Sequence, residues 1–125
     1  MNLPLPLGAD DGPEQPKVLL VDDDKVQLML TGAALRQRGF AVTEADGGAQ
    51  ALQLLAEAAF DIVVLDALMP EVDGFETCRR LRATPGFEHM PVLMLTGLND
   101  DASIARAYQA GATDFYVKSS QWSLL

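Results

Sequence analysis

The chain reads as an α/β fold, a doubly wound parallel sheet of five strands with helices on both faces, and three observations lead there. Short runs of apolar, largely β-branched residues alternate along the chain with longer stretches of helical periodicity. One run, Ile62-Val63-Val64-Leu65, is continuously apolar between Asp61 and Asp66, the pattern of a central strand buried on both faces. At 125 residues the chain has room for one domain, since domains run to about 100–200 residues. Each parallel pair then needs a right-handed crossover, which the helical stretches supply.

In chain order, residues 1–16 carry four of the seven prolines (Pro4, Pro6, Pro13, Pro16) together with Gly8 and Gly12. Proline lacks the amide proton that helix and sheet pairing use, so this segment is predicted to be a flexible leader, with the domain starting at Lys17. Val18-Leu19-Leu20-Val21 is the first strand. It runs into Asp22-Asp23-Asp24 and a helix with Leu28, Met29 and Leu35 on related faces, opened by an Asp24/Gln27 capping box and ended by Gly39. A weaker strand, Ala41 to Ala45, precedes Gly47-Gly48 and a helix turning Leu52, Leu55 and Ala59 inward. Asp61 to Asp66 is the third strand. After Met69-Pro70 and Asp73-Gly74 a helix places Phe75, Cys78 and Leu81 on one stripe; Asp73 before Gly74 reads as a turn or helix start rather than as chemistry. Pro91 to Thr96 is the fourth strand, Asp100 to Ala110 the fourth helix capped by Gly111, and Asp114 to Lys118 the fifth strand. Seven residues remain after Lys118, too few for a full fifth helix.

The composition narrows the function. Nine Lys and Arg against 18 Asp and Glu give a formal charge of -9. Such a chain repels phosphate backbones and anionic lipid, which argues against direct nucleic-acid or membrane binding and favours cations and basic partner patches. Hydrophobic residues at 49% suffice for a packed core. The lone cysteine, Cys78, has no partner for an internal disulfide and reads as core, in keeping with a cytoplasmic protein. No stretch approaches the ~18 apolar residues of a membrane span. His89, the single histidine, has no neighbouring His or Cys and reads as a surface residue. Arg79, Arg80 and Arg82 read as a solvated helix face in preference to a partner contact.

Ligands of an open parallel sheet bind beyond the carboxyl ends of its strands. Asp22 and Asp23 follow the first strand, and Asp66, Thr96 and Lys118 end the third, fourth and fifth. Three carboxylates gathered at one rim repel one another, and each is driven toward protonation unless a cation sits among them. Mg²⁺, a hard ion that takes oxygen ligands, relieves that cost, with Mn²⁺ an alternative. Beside a carboxylate it also neutralises an incoming phosphoryl group, while Lys118 adds positive charge and Thr96 a hydroxyl. The pattern fits an aspartyl phosphate.

With these residues in place, the chain resembles the receiver domain of bacterial two-component response regulators over residues 17 to about 124. The resemblance rests on Val-Asp-Asp-Asp at 21–24, Asp66 with Met69-Pro70 and Asp73-Gly74, Thr96-Gly97, and Lys118. It implies a flavodoxin-like strand order 2-1-3-4-5, and a signalling module rather than an enzyme with a diffusing substrate. It further implies Asp66 as phosphoacceptor, and Asp22, Asp23, Asp66 and the backbone carbonyl of Leu68 as Mg²⁺ ligands. Thr96 and Phe115 would be the switch pair, and Lys118 the phosphoryl contact. The implied partners are a sensor histidine kinase or histidine phosphotransfer protein and a C-terminal output domain.

Two departures stand out. Ser119 follows Lys118 where the family usually has a cis proline, and a non-proline cis bond costs roughly 3 kcal/mol, so that loop stores strain or takes another path. Leu68 is bulky where many relatives are polar or small, which suggests shielding of the phosphoryl group and slow autodephosphorylation. Without a full fifth helix apolar sheet surface is left open, pointing to a homodimer or, in preference, to a piece excised from a longer protein. The alternative function is a receiver-fold interaction module that works without phosphorylation. A phosphatase of the haloacid dehalogenase type would want a second acid at Leu68, and a nucleotide site would want a glycine-rich loop after the first strand. Finally, Lys118 to Leu125 is similar to the Lys-Pro-x-x-Trp-x-x-Leu stretch of receivers that precede diguanylate cyclase or related cyclic-di-GMP domains.

Overall fold

A computed structural model describes residues 15–69, 72–97 and 101–117. The five strands are β1 (Lys17–Val21), β2 (Ala41–Ala45), β3 (Ile62–Asp66), β4 (Val92–Thr96) and β5 (Asp114–Val117). The four helices are α1 (Lys25–Gln37), α2 (Gly48–Glu57), α3 (Gly74–Ala83) and α4 (Asp101–Ala110). All neighbouring strands are parallel, in the order β2-β1-β3-β4-β5. The doubly wound sheet and its 2-1-3-4-5 order are as expected. Asp61 and Pro91 fall just outside the strands; the Asp61 carboxylate instead accepts the Lys17 amide at 2.7 Å. The leader residues 1–14, Pro70, Asp100, and everything from Lys118 on lie outside the described residues.

Side chains that alternate along the strands feed two cores. Leu19, Val21, Val63, Leu65, Val92 and Met94 face α2, α3 and α4, where Leu55, Phe75, Cys78, Leu81, Ala107 and Ala110 close the larger cluster. Val18, Leu20, Val64 and Leu95 face the other way, onto Leu28 and Leu35 of α1. Tyr116, paired in register with Leu95, is 37% exposed on that second face. Cys78 is fully buried as expected, and burial pushes its thiol pKa up.

Several helix details depart from the sequence reading. Met29 is 60% exposed, because the stripe of α1 that meets the sheet runs through Leu28, Thr31 and Gly32. Ala59 does not face inward: α2 stops at Glu57, leaving Ala59 exposed beyond it. Only the Asp24 arm of the proposed capping box forms, its Oδ1 accepting from Val26 and Gln27 at 2.9 and 3.2 Å. The Asp24 amide donates instead to Asp22 Oδ1 at 3.0 Å. Gly39 does end α1: at φ 95 it occupies the left-handed region, with its amide on Arg36 O and that of Phe40 on Leu35 O. Gly111, at φ 106, closes α4 in the same way.

The arginine run does not act as one solvated face. Arg79 and Arg80 pair with Glu76 on the surface of α3, and these hydrogen bonds, Arg80 first, hold the Glu76 carboxyl below its ordinary pKa. Arg82 points elsewhere. Its guanidinium donates to Gly111 O (2.9 Å), Phe87 O (2.9 Å) and Thr113 Oγ1 (3.2 Å), tying α3 to the loops on either side of it in space.

Candidate functional site

The parallel sheet carries the ends of β1, β3, β4 and β5 to one rim, and the acids expected there do converge. Asp22, Asp23 and Asp66 each offer a carboxylate oxygen within 4.8 Å of the other two. Asp22 and Asp66 are both 7% exposed, whereas Asp23 is open to solvent. Register explains the meeting: β1 and β3 are hydrogen-bonded neighbours with Val21 beside Leu65, so the residues that follow Val21 lie next to Asp66. The Asp22 amide on Ala45 O and the Ala67 amide on Leu95 O extend the ladder one step past each strand and hold both loop starts in place.

The three adjacent aspartates have separate surroundings. Asp24 is spent on capping α1, and its amide occupies one oxygen of Asp22. Asp23 projects from the rim beside a cavity of about 280 Å³ that Asp46, Gly48, Met69 and Val72 also line. Three carboxylates without compensation repel at such spacing, and their hard oxygens suit a divalent cation of the Mg²⁺ type. The donor set fits that ion.

Around the acids, Thr96 ends β4 and is buried, with Val117 as its register partner on β5. Phe115, in register with Met94, packs partly buried against the larger core. The Leu68 side chain is half exposed. Lys118 and Ser119 follow Val117 outside the described residues. Asp73 is the N-cap of α3, as its sequence position suggests, with Oδ1 accepting the Glu76 amide at 2.9 Å.

Two contributors to the site escaped the sequence reading. Gly74 donates its amide to Ala67 O at 2.9 Å, and a Cβ there would run into the Asp66 carbonyl oxygen, so α3 can seat on the Asp66–Ala67 peptide only with glycine at this position. The Asp73-Gly74 dipeptide signals a helix start but not this close approach. Arg106 of α4 reaches Asp73 Oδ2 at 3.6 Å and lies 4.2 Å over the Phe75 ring, a pairing that no periodicity announces.

Among known proteins, the transcriptional regulatory protein AfsQ1 of Streptomyces coelicolor is 37% identical over 110 residues, 88% of this chain and 48% of that protein. ResD, a transcriptional regulatory protein of Bacillus subtilis, is 33% identical over 86% of this chain and 44% of its own length. The chain therefore spans about half the length of these relatives. The chemotaxis response regulator CheY4 of Vibrio cholerae superposes with a TM-score of 0.81 at 31% identity, over 88% of this chain and 92% of that one. The family model for the response regulator receiver domain matches residues 18–125. A parallel sheet in 2-1-3-4-5 order, with an acidic cluster at its carboxyl rim and this match over nearly the whole chain, makes the protein a member of the response regulator receiver domain family.

Proposed function

We propose that Asp66 is the phosphoacceptor of this signalling domain, working with a divalent cation held by Asp22, Asp23, Asp66 and the Leu68 carbonyl. One observation carries the reading: carboxylates from the ends of two adjacent strands lie within 4.8 Å of one another, a cluster that suits a hard cation and an incoming phosphoryl group. Bound Mg²⁺ would supply charge neutralisation for phosphoryl oxygens. An Asp66 oxygen forms the new bond to phosphorus as the bond to the donor breaks, the electron pair leaving with the imidazole of a phosphohistidine or with acetate from acetyl phosphate. Lys118 pairs with the phosphoryl oxygens, and Thr96 bonds one of them. The shift of Thr96 makes room for the Phe115 ring, and α4 and β5 carry the change to a partner.

The donor in this reading is a sensor histidine kinase or histidine phosphotransfer protein in the cytoplasm, and the recipient of the signal is an output domain in the same polypeptide. The Lys118 to Leu125 stretch favours a cyclic-di-GMP output. Beyond its own phosphorylation and dephosphorylation the domain turns over no substrate. The half-exposed Leu68 side chain, two residues from Asp66, is a shield against water and slows hydrolysis. A phospho-form lost within seconds would refute that last point.

The test is intact mass after incubation with acetyl phosphate and Mg²⁺, alongside Asp66→Asn and an EDTA control. One phosphoryl group gained only with both Asp66 and metal supports the reading. A folded protein that gains none favours instead an interaction module independent of phosphorylation, for which Ser119 in place of the usual proline is the specific indication.

A further inference from the structure

Two arginines tether α4, and they differ in kind. Near the carboxyl end Arg82 holds Gly111 O, Phe87 O and Thr113 Oγ1 together, three bonds at 2.9, 2.9 and 3.2 Å from a partly buried guanidinium. Midway along the helix Arg106 makes one long ion pair with Asp73, 3.6 Å between side chains 54% and 31% exposed, and stacks on the Phe75 ring. The first is a clamp. The second breaks on a small displacement.

Their placement gives the difference a direction. Asp73 caps α3, and the next residue, Gly74, sits on the Asp66–Ala67 peptide, so Arg106 joins α4 to the segment that carries the phosphoacceptor. Thr96, buried at the end of β4, is separated from the start of α4 at Asp101 by only four residues. A pull on Thr96 therefore acts on the Asp101 end of the helix while Arg82 holds the Gly111 end. Arg106, five residues before Gly111, is carried about 7 Å from that fixed point along the axis, and a swing of the helix takes its guanidinium off Asp73.

We propose that Arg106 is a positioning residue of the switch, a latch that holds α4 on the α3 cap in the unphosphorylated arrangement and is released when Asp66 is phosphorylated. The inference rests on the phosphoacceptor reading of Asp66. Because the latch opposes the phosphorylated arrangement, its removal strengthens binding of a phosphoryl mimic, by linkage.

The experiment measures the affinity for beryllofluoride at saturating Mg²⁺ by ¹⁹F NMR, in wild type, Arg106→Ala, Asp73→Asn and the double variant. Asn keeps the capping oxygen of Asp73, so α3 retains its start. Each single variant is expected to bind about three-fold more tightly, the scale of one exposed ion pair, and the double variant no more tightly than either alone. General damage to the fold would weaken binding, so tightening is a readout that a merely structural role does not produce. Unchanged or weaker binding by Arg106→Ala overturns the latch, as do additive effects in the double variant. Should the wild type itself fail to bind beryllofluoride, the phosphoacceptor reading falls and the latch with it.

Discussion

Gly74→Ala places one methyl group where the fold has no room for it. The added Cβ would run into the Asp66 carbonyl oxygen and stand 2.8 Å from Ala67 Cα and 2.9 Å from the Asp66 carbonyl carbon. All three are backbone atoms at the end of a central strand, so no side chain can swing away; either α3 lifts off or the Asp66 peptide moves. Overpacking of this sort costs about 1–3 kcal/mol, and immovable neighbours put it at the upper end. Against it stands the better helix propensity of Ala, at most about 1 kcal/mol and less in a first turn. The net loss is about 2 kcal/mol, a fall in Tm of roughly 6–10 °C for a domain of this size. Urea denaturation followed by circular dichroism measures it, with Gly47→Ser as the comparison. Gly47 has nothing within 4 Å of its Cβ and caps α2 without a side-chain bond, so serine there should gain a few tenths of a kcal/mol. The Gly74 variant should also accept phosphate from acetyl phosphate more slowly, since the Asp66 peptide is what its Cβ displaces. A Gly74→Ala protein as stable as wild type, or more stable, would refute the close-approach argument.

Arg82→Ala is expected to cost about 2–3 kcal/mol in the same denaturation assay, because its three acceptors lose a charged donor. Arg79→Ala, which breaks only a surface pair with Glu76, should cost under about 1 kcal/mol. Asp23→Asn should sharply weaken Mg²⁺ binding in a calorimetric titration, while Asp24→Asn, whose amide oxygen preserves the cap of α1, should weaken it far less. Glu76 has a folded-state pKa depressed by Arg80 and Arg79, so it favours folding above its ordinary value of 4.5 and loses that contribution as pH falls through the lower folded value. The difference in Tm between wild type and Glu76→Gln should therefore be present at neutral pH and vanish on the acid side of that window.

The strands were legible because continuous apolar runs between acids and glycines have few other uses in a chain this acidic, and the rim followed because parallel strands end on the same side. Asp22, Asp23 and Asp66 were thus found from position alone. What stayed hidden depends on partners distant in sequence. Arg82 reads as one of three surface arginines until Gly111 and Thr113, 29 and 31 residues on, are folded against it. Met29 reads as core beside Leu28, yet one residue is about 100° around a helix, and α1 turns Thr31 and Gly32 to the sheet instead. The reciprocal arm of the capping box failed for a similar reason: the Asp24 amide found a nearer acceptor in Asp22.

That same bond bears on how three identical residues in a row come to do different work. Beyond a strand that ends at Val21 the backbone must turn into α1, and the turn needs an N-cap oxygen, which Asp24 supplies. Its amide then needs an acceptor, and Asp22, buried at the strand end, provides one oxygen while its carboxylate stays within 4.8 Å of those of Asp23 and Asp66. Asp23, between them, has neither duty and stays exposed at the mouth of the site. At Asp73-Gly74 the division repeats: the aspartate caps α3 while the glycine lets that helix rest on the Asp66 peptide. In both loops the groups that secure a helix start are the ones that fix the acids, so the geometry of the cluster is set by helix capping as much as by the carboxylates themselves.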